Sequence, residues 1–343
     1  MPMRHSSIAL FFVLLILAIL DATSASAQTT LEATLLFATE DGGERNGLAY
    51  ESSTARIYTV SNTVELRAYT LAGTKVSGPE AITSGGVGVS GRSGETGIHF
   101  VEEAVTIGST GVAAGTLVFI QAGASNDPLD LNETTLYALD AITGAAFASE
   151  SVDTGILVPP AGCGDVLKDV AKGLGYSAAR DRFLTIDLAC QGVAEIENGD
   201  ALGFVPVPGG ILGTSGGAGV AVHPVTGHTW VGGAIQGLGT NVLAEFDENG
   251  AQLGSFAVVE SGTTTPVVLR RLSFDATGDR LFVLTFGAEV FEIATPKAPA
   301  VPGLEALGRV ALLITTFAVT GLGLRAGRAD AASRPQRPGP DPS

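Results

Sequence analysis

In the stretch "VHPVTGHTWVG", residues 222–232, His223 and His228 stand five positions apart around a turn. At that spacing two imidazoles could share a metal ion or act as acid and base. Two ligands fall short of the set a structural or catalytic zinc needs. His99 sits inside an apolar run and reads as a core or channel histidine. The densest oxygen cluster, "SNDPLDLNE" from Ser125 to Glu133, suits calcium but lacks EF-hand spacing, so it reads first as a solvated acidic surface. Gly86, Gly88 and Gly91 fit a dinucleotide fingerprint without the βαβ unit that fingerprint requires. Gly213, Ser215 and Gly217 fit a nucleophile elbow, yet a strand rather than a helix follows. Asn132-Glu133-Thr134 is a glycosylation sequon only in a host that glycosylates.

The elements that would position these residues repeat. "GLAYESSTARIYTV" from Gly47, "GLGYSAARDRFLTI" from Gly173, "GVAVHPVTGHTWVG" from Gly219 and "RLSFDATGDRLFVL" from Arg271 align without gaps, and "GIHF" from Gly97 shares the start. Each copy is a short apolar strand, a polar turn and a β-rich second strand. "LRAYTLAGT", "LYALDAITG", "AEIENGD" and "LAEFDENGA" supply a third strand and a glycine turn, with Asn249-Gly250 the clearest hairpin signal. Starts about 50 residues apart, with one interval of 76, describe an all-β fold, a β-propeller of four-stranded blades. Five blades are recognisable, and six would result if the 76-residue interval holds a degenerate one. The last copy ends at "AEVFEIA", residues 288–294, without its fourth strand, while "LEATLLFAT", residues 31–39, is a strand without a blade. Pairing the two closes the ring and covers its edges. The alignment also places His228 in a column with Arg56, Arg182 and Arg280, and His223 in one with Glu51, Ser177 and Asp275. Both columns read as hairpin positions rather than chemistry.

The ends carry addresses. Arg4, the apolar run Ile8–Leu20 and Ala25-Ser26-Ala27 read as a secretory signal over residues 1–27, too short to span a bilayer. The propeller then occupies 28–295, a proline-rich linker 296–303, an apolar transmembrane helix with an arginine stop 304–328, and a disordered tail 329–343. "VPGLEALGRVALLITTFAVTGLGLRAGR" resembles the C-terminal sorting segments of bacterial PEP-CTERM and IPTL-CTERM type, with Val301, Pro302, Gly303 and Leu304 at the signature and Arg325 and Arg328 at the basic stop. The resemblance implies an exported, extracytoplasmic protein held at least transiently in the inner membrane and handled by a sorting or processing enzyme. Export favours a disulfide between Cys163 and Cys190. On a propeller their loops emerge on one face, and the bridge would contribute roughly 3 kcal/mol. A net charge of −16 argues against nucleic acid as partner.

The face carrying those loops also gathers many carboxylates, with Arg270 and Arg271 opposite them. The blades resemble propellers of the NHL and lactonase-like kind, a group that includes binding modules and hydrolases. The favoured expectation is a non-enzymatic module without catalytic residues or cofactor, presenting this loop face to a protein or glycan partner. The alternative is a metal-dependent lactonase or esterase-like hydrolase. Its cation, calcium for instance, would sit at the channel mouth. The gluconolactonase-like ring of Glu, Asn and Asp would then be imitated by Glu44, Asn46, Glu95 and Asp187.

Overall fold

The computed structural model describes residues 29–40, 46–89, 96–122, 134–154, 163, 167, 171–208, 211–212, 217–234 and 241–296. The signal, linker, transmembrane and sorting segments expected from the sequence lie outside them, apart from Pro296 of the linker. The chain divides into two units, 1–295 and 296–343, and every described strand belongs to the first. Among the described residues all regular structure is strand, and no helix is long and apolar enough to cross a membrane.

The chain enters on β1 (Thr29–Ala38). A first antiparallel meander follows: β2 (Gly47–Glu51), β3 (Arg56–Val60), β4 (Glu65–Thr70) and β5 (Lys75–Ala81). Two short strands, β6 (Thr83–Ser84) and β7 (Val87–Gly88), lead to β8 (Thr96–Val101). The small hairpin β9 (Val105–Ile107) and β10 (Thr110–Val112) precedes β11 (Thr116–Ala122), β12 (Thr134–Leu139) and β13 (Ala145–Ser151), which form the second meander with β8. The third comprises β14 (Lys172–Ser177), β15 (Arg182–Asp187), β16 (Gly192–Glu197) and β17 (Asp200–Pro206). The fourth comprises β18 (Gly217–Val222), β19 (Thr229–Ala234), β20 (Asn241–Phe246) and β21 (Gln252–Glu260). Last come β22 (Leu269–Phe274), β23 (Arg280–Thr285) and β24 (Glu289–Ala294), and the missing fourth strand is β1, antiparallel to β24 with Ala33 opposite Ile293 and Ala38 opposite Glu289. β1 also runs parallel to β21, Thr29 against Phe256 through Ala33 against Glu260, so the last two meanders fuse into one eight-stranded sheet.

Burial grades across each meander as strand composition dictates. The first strands are apolar on both faces and wholly buried, as in β2, whereas β13 alternates between exposed and half-buried positions at the rim. Apolar side chains collect in five clusters, each shared by two successive meanders. The cluster that joins the fifth to the first contains Phe282, Leu284 and Val290 with Leu48, Tyr50, Ile57 and Tyr69, and β1 contributes Phe37. The first strands meet in the cyclic order β2, β8, β14, β18, β22 and back to β2. The architecture is a β-propeller.

Glycine makes that tight inner ring feasible. A Cβ on Gly97 would lie 2.3 Å from the carbonyl carbon of Gly173, and one on Gly219 2.9 Å from Cα of Arg271. Neighbouring inner strands touch backbone to backbone at these seams, so a methyl group there would force them apart.

Candidate functional site

The far ends of the five inner strands, with the turns that follow them, surround a cavity of about 420 Å³. Tyr50 contributes from the first meander, His99, Phe100, Glu102 and Glu103 from the second, and Tyr176 and Ser177 from the third. The fourth meander supplies the turn Val222–Gly227 together with Glu248, and the fifth Ser273, Phe274 and Asp275. This pocket opens among the hairpins between first and second strands. The sequence points instead to functional loops at the opposite end, where the second-to-third turns and interblade connections lie.

The turns are built alike. At the first turn position, Asp275 Oδ1 accepts the Arg280 backbone N–H at 3.2 Å, Ser177 Oγ accepts Arg180 Nε–H at 3.2 Å, and Glu51 accepts the Ser53 and Tyr58 hydroxyls at 2.8 Å. His223 does the same work: its Nδ1 accepts the backbone N–H groups of Val225 and Thr226, both at 3.2 Å. Acid, hydroxyl and imidazole share a column because all three offer an acceptor to the turn. In the other column, Arg182 reaches Glu195 at 2.8 Å and Glu197 at 3.3 Å on the third strand, and Arg280 reaches Asp275 at 3.1 Å. His228 takes the equivalent place with Nδ1 at 2.7 Å from Glu245 Oε1. The two histidines are therefore hairpin residues, and His223 lines the pocket besides.

His99 differs from both. Its ring lies 6.4 Å from that of Tyr176, and among the described residues neither ring nitrogen has a hydrogen-bond partner. Burial pushes its pKa down to about 4, so the imidazole is neutral at pH 7. Burial also lowers His223, aided by His228 and opposed by Glu245, Asp275 and Asp279. Tyr176 is raised by burial, then by its hydrogen bond to Asp181 Oδ1 at 2.6 Å and by the charges of Asp181 and Glu103, which keeps the phenol protonated.

A pH dependence follows from His99. The unfolded chain binds this proton near pH 6.5 and the folded one only near 4, so falling pH favours unfolding across that interval. Stability is expected to drop by about 3 kcal/mol at most between pH 6.5 and 4 from this residue, and to be flat in this contribution above 6.5. Urea melts at several pH values check it. His99→Leu should remove the contribution, and an unchanged slope in the variant would refute the assignment. Asp187, whose carboxyl burial pushes up, acts in the opposite sense, stabilising the fold as pH falls towards the ordinary carboxylate range.

Of the four residues expected to form a metal ring, Glu44 and Glu95 lie outside the described residues. Asn46 is buried, donates from Nδ2 to the Ser61 carbonyl at 3.3 Å and accepts Arg270 Nη2 at 2.8 Å through Oδ1. That oxygen already faces a guanidinium, whose charge opposes a second cation at the same atom. Asp187 accepts the Leu167 and Cys190 backbone N–H groups at 2.7 and 2.8 Å, one on each oxygen. It thereby fastens the loop that carries the disulfide between Cys163 and Cys190, whose Cα atoms are 5.1 Å apart. Among the described residues no cluster of three or more His, Cys, Asp or Glu side chains is placed to hold a metal. Arg270 and Arg271, expected on the loop face, are both buried: Arg270 stacks on Phe286 at 4.4 Å, and Arg271 lies inside the ring.

Sequence reasoning passed over Tyr176, Phe100, Phe274, Glu103 and Glu248 as site residues. The available signal was the alignment itself, because an aromatic column, Tyr50, Phe100, Tyr176 and Phe274, stands at the pocket end of four of the five inner strands, with Val222 in the fifth.

Fold and site together define a β-propeller with an axial pocket. No protein-family model matches the chain, and no curated protein matches it. Solved structures similar to it include a luciferin-regenerating enzyme, at 12% identity and TM-score 0.38 over 79% of this chain and 94% of that one. A gluconolactonase from Xanthomonas campestris is similar at 14% identity and TM-score 0.43, over 76% and 89%. Virginiamycin B lyase from Staphylococcus aureus is similar at 8% identity and TM-score 0.40, over 78% and 100%.

Proposed function

We propose that this chain is an exported, non-enzymatic binding module: a five-bladed propeller that holds a small ligand in its axial pocket and reaches the cell envelope through a C-terminal helix. The pocket carries the binding reading. Every meander contributes to one cavity, and that cavity contains a neutral imidazole with no hydrogen-bond partner among the described residues. Ligand sites have this character, concave and largely apolar with a few convergent polar groups. Direct contact of β8 with β14 supports five blades, since a sixth would stand between them. The hydroxyls in the pocket support binding over catalysis. Ser273 Oγ accepts the Tyr50 backbone N–H at 3.0 Å, Ser177 Oγ accepts Arg180, Thr226 Oγ1 accepts the His228 backbone N–H, the Tyr50 hydroxyl accepts Arg280 and the Tyr176 hydroxyl donates to Asp181, so each serves the scaffold.

Ala178 is exposed at the pocket mouth, and Ala178→Trp would fill it without disturbing the core. A small ligand found by thermal shift against the full chain should bind the variant at least about tenfold more weakly. Equal affinity would move the site elsewhere. The hydrolase alternative predicts instead that micromolar calcium raises the melting temperature, and that Glu95→Ala with Asp187→Ala abolishes the rise.

Export, anchoring and sorting rest on residues 1–27 and 301–328, and the Cys163–Cys190 bridge supports an oxidising compartment. Mature protein from the native host is expected to begin near Gln28 and, if the tail is a cleaved sorting signal, to lack mass beyond about Pro302. Mass spectrometry decides this. A chain retaining Met1 to Ala27 would overturn the signal reading, and an intact tail in the inner membrane would leave a simple anchor.

A further inference from the structure

The pocket's lining is unbalanced in charge. Glu102, Glu103, Glu248 and Asp275 contribute carboxylates, and among the described residues neither lysine nor arginine lines it. Asp275 is neutralised by Arg280 at 3.1 Å, and Glu102 accepts the Ser52 backbone N–H at 3.1 Å. Among the described residues Glu103 and Glu248 have no ion-pair partner. A carboxylate pair alone would define only a solvated rim. The walls add a separate observation. Phe100, Tyr176 and Phe274 present aromatic rings to the same cavity, and the Tyr176 hydroxyl donates to Asp181, which leaves its ring electron-rich. A ring face attracts a positive charge, the more so where water is excluded. His99 adds an unpartnered ring nitrogen able to accept one N–H.

We propose that the axial pocket takes a small organic ammonium ion, its charged head among Glu103, Glu248 and the aromatic faces and its apolar body against Phe100 and Phe274. These carboxylates are exposed at the pocket mouth, where they attract a cation and repel an anion. The inference rests on the pocket being the binding site and adds the chemical class of its occupant.

Calorimetry on the full chain tests it with phenethylammonium and benzyltrimethylammonium as probes, and phenylacetate and glucose as the anionic and neutral controls. Both cations are expected to bind at least about tenfold more tightly than either control. Glu103→Gln with Glu248→Gln should weaken the cations by a similar factor while leaving the melting temperature unchanged. His99→Leu should weaken phenethylammonium, which can donate an N–H, and spare benzyltrimethylammonium, which cannot. Phenylacetate or glucose binding as well as the cations, or no cation binding at millimolar concentration, would overturn the ligand class. Cation binding that survives Ala178→Trp would instead show that the pocket itself is not the site. The two failures are therefore distinct.

Discussion

A chain lacking residues 29–38 is expected not to fold, and one in which that segment is moved to follow Ala294 is expected to fold again. β1 is hydrogen-bonded on both edges, antiparallel to β24 and parallel to β21. Its removal would expose two strand edges and open the ring where its first and last members join. It would also uncover Leu31 and Ala33, which pack with Trp230 and Phe291, and Phe37, which packs with Tyr69 at 5.3 Å between ring centroids. Full burial of a large apolar side chain stabilises by about 1.5–3 kcal/mol. Two such residues and a double row of backbone hydrogen bonds are comparable with a domain's whole stability of about 5–15 kcal/mol. Restoration by the permuted chain separates closure from connectivity, because a strand antiparallel to β24 can follow it through a short hairpin. Circular dichroism and urea melts read the outcome. A truncated chain with a cooperative transition at the parental midpoint would show that the ring does not depend on β1. As a milder probe, Phe37→Ala should cost about 3–5 kcal/mol.

The sequence carried this closure because period and composition express it directly. "AEVFEIA" lacks a following strand and "LEATLLFAT" lacks a preceding one, and each is apolar enough to require a partner. The hairpin histidines were readable for the same reason: a column that holds Glu51, Ser177, His223 and Asp275 is a hairpin position, and each of these accepts a hydrogen bond from within its own hairpin in the structure. The pocket was harder to see, since which end of an inner strand is open depends on how strands from all meanders converge, and no single repeat encodes that. Tyr176 and Phe274 take on a shared role only when the ring places them around one cavity. The parallel pairing of β1 with β21 was also hidden, because an outer strand carries no alternation that distinguishes a free edge from a paired one. Asn46 and Asp187 suggested metal ligands by type, but backbone N–H groups and a guanidinium compete for the same oxygens.

Replacing Arg271 with methionine is expected to destabilise the protein by about 2–5 kcal/mol, from the loss of donors to buried carbonyls, although it touches neither the pocket nor the rim. Four inner strands carry glycine at the corresponding position: Gly47, Gly97, Gly173 and Gly219. At the seams of β8 with β14, β14 with β18 and β18 with β22, these glycines let the next backbone approach to contact. The last seam, between β22 and β2, is built otherwise. Arg271 is 1% exposed and donates from Nε to the Asn46 carbonyl at 2.7 Å and from Nη1 to the Ala218 and Arg270 carbonyls at 2.8 Å. One guanidinium thus ties the closing meander to the first and the fourth. Methionine would fill the volume but take the guanidinium donor from three buried carbonyls, of which that of Asn46 keeps the Thr96 hydroxyl at 2.6 Å; a buried acceptor left unsatisfied costs about 1–3 kcal/mol. Arg271→Lys retains the charge without the planar fork and should recover only part of the loss. Arg271→Gly, which restores the pattern of the other seams, should be worse than methionine because the strands are already spaced for a side chain. Urea denaturation of the three variants gives the order Lys, Met, Gly from most to least stable. A methionine variant within about 1 kcal/mol of the parent would mean that packing, and not the hydrogen-bonded bridge, holds the final seam.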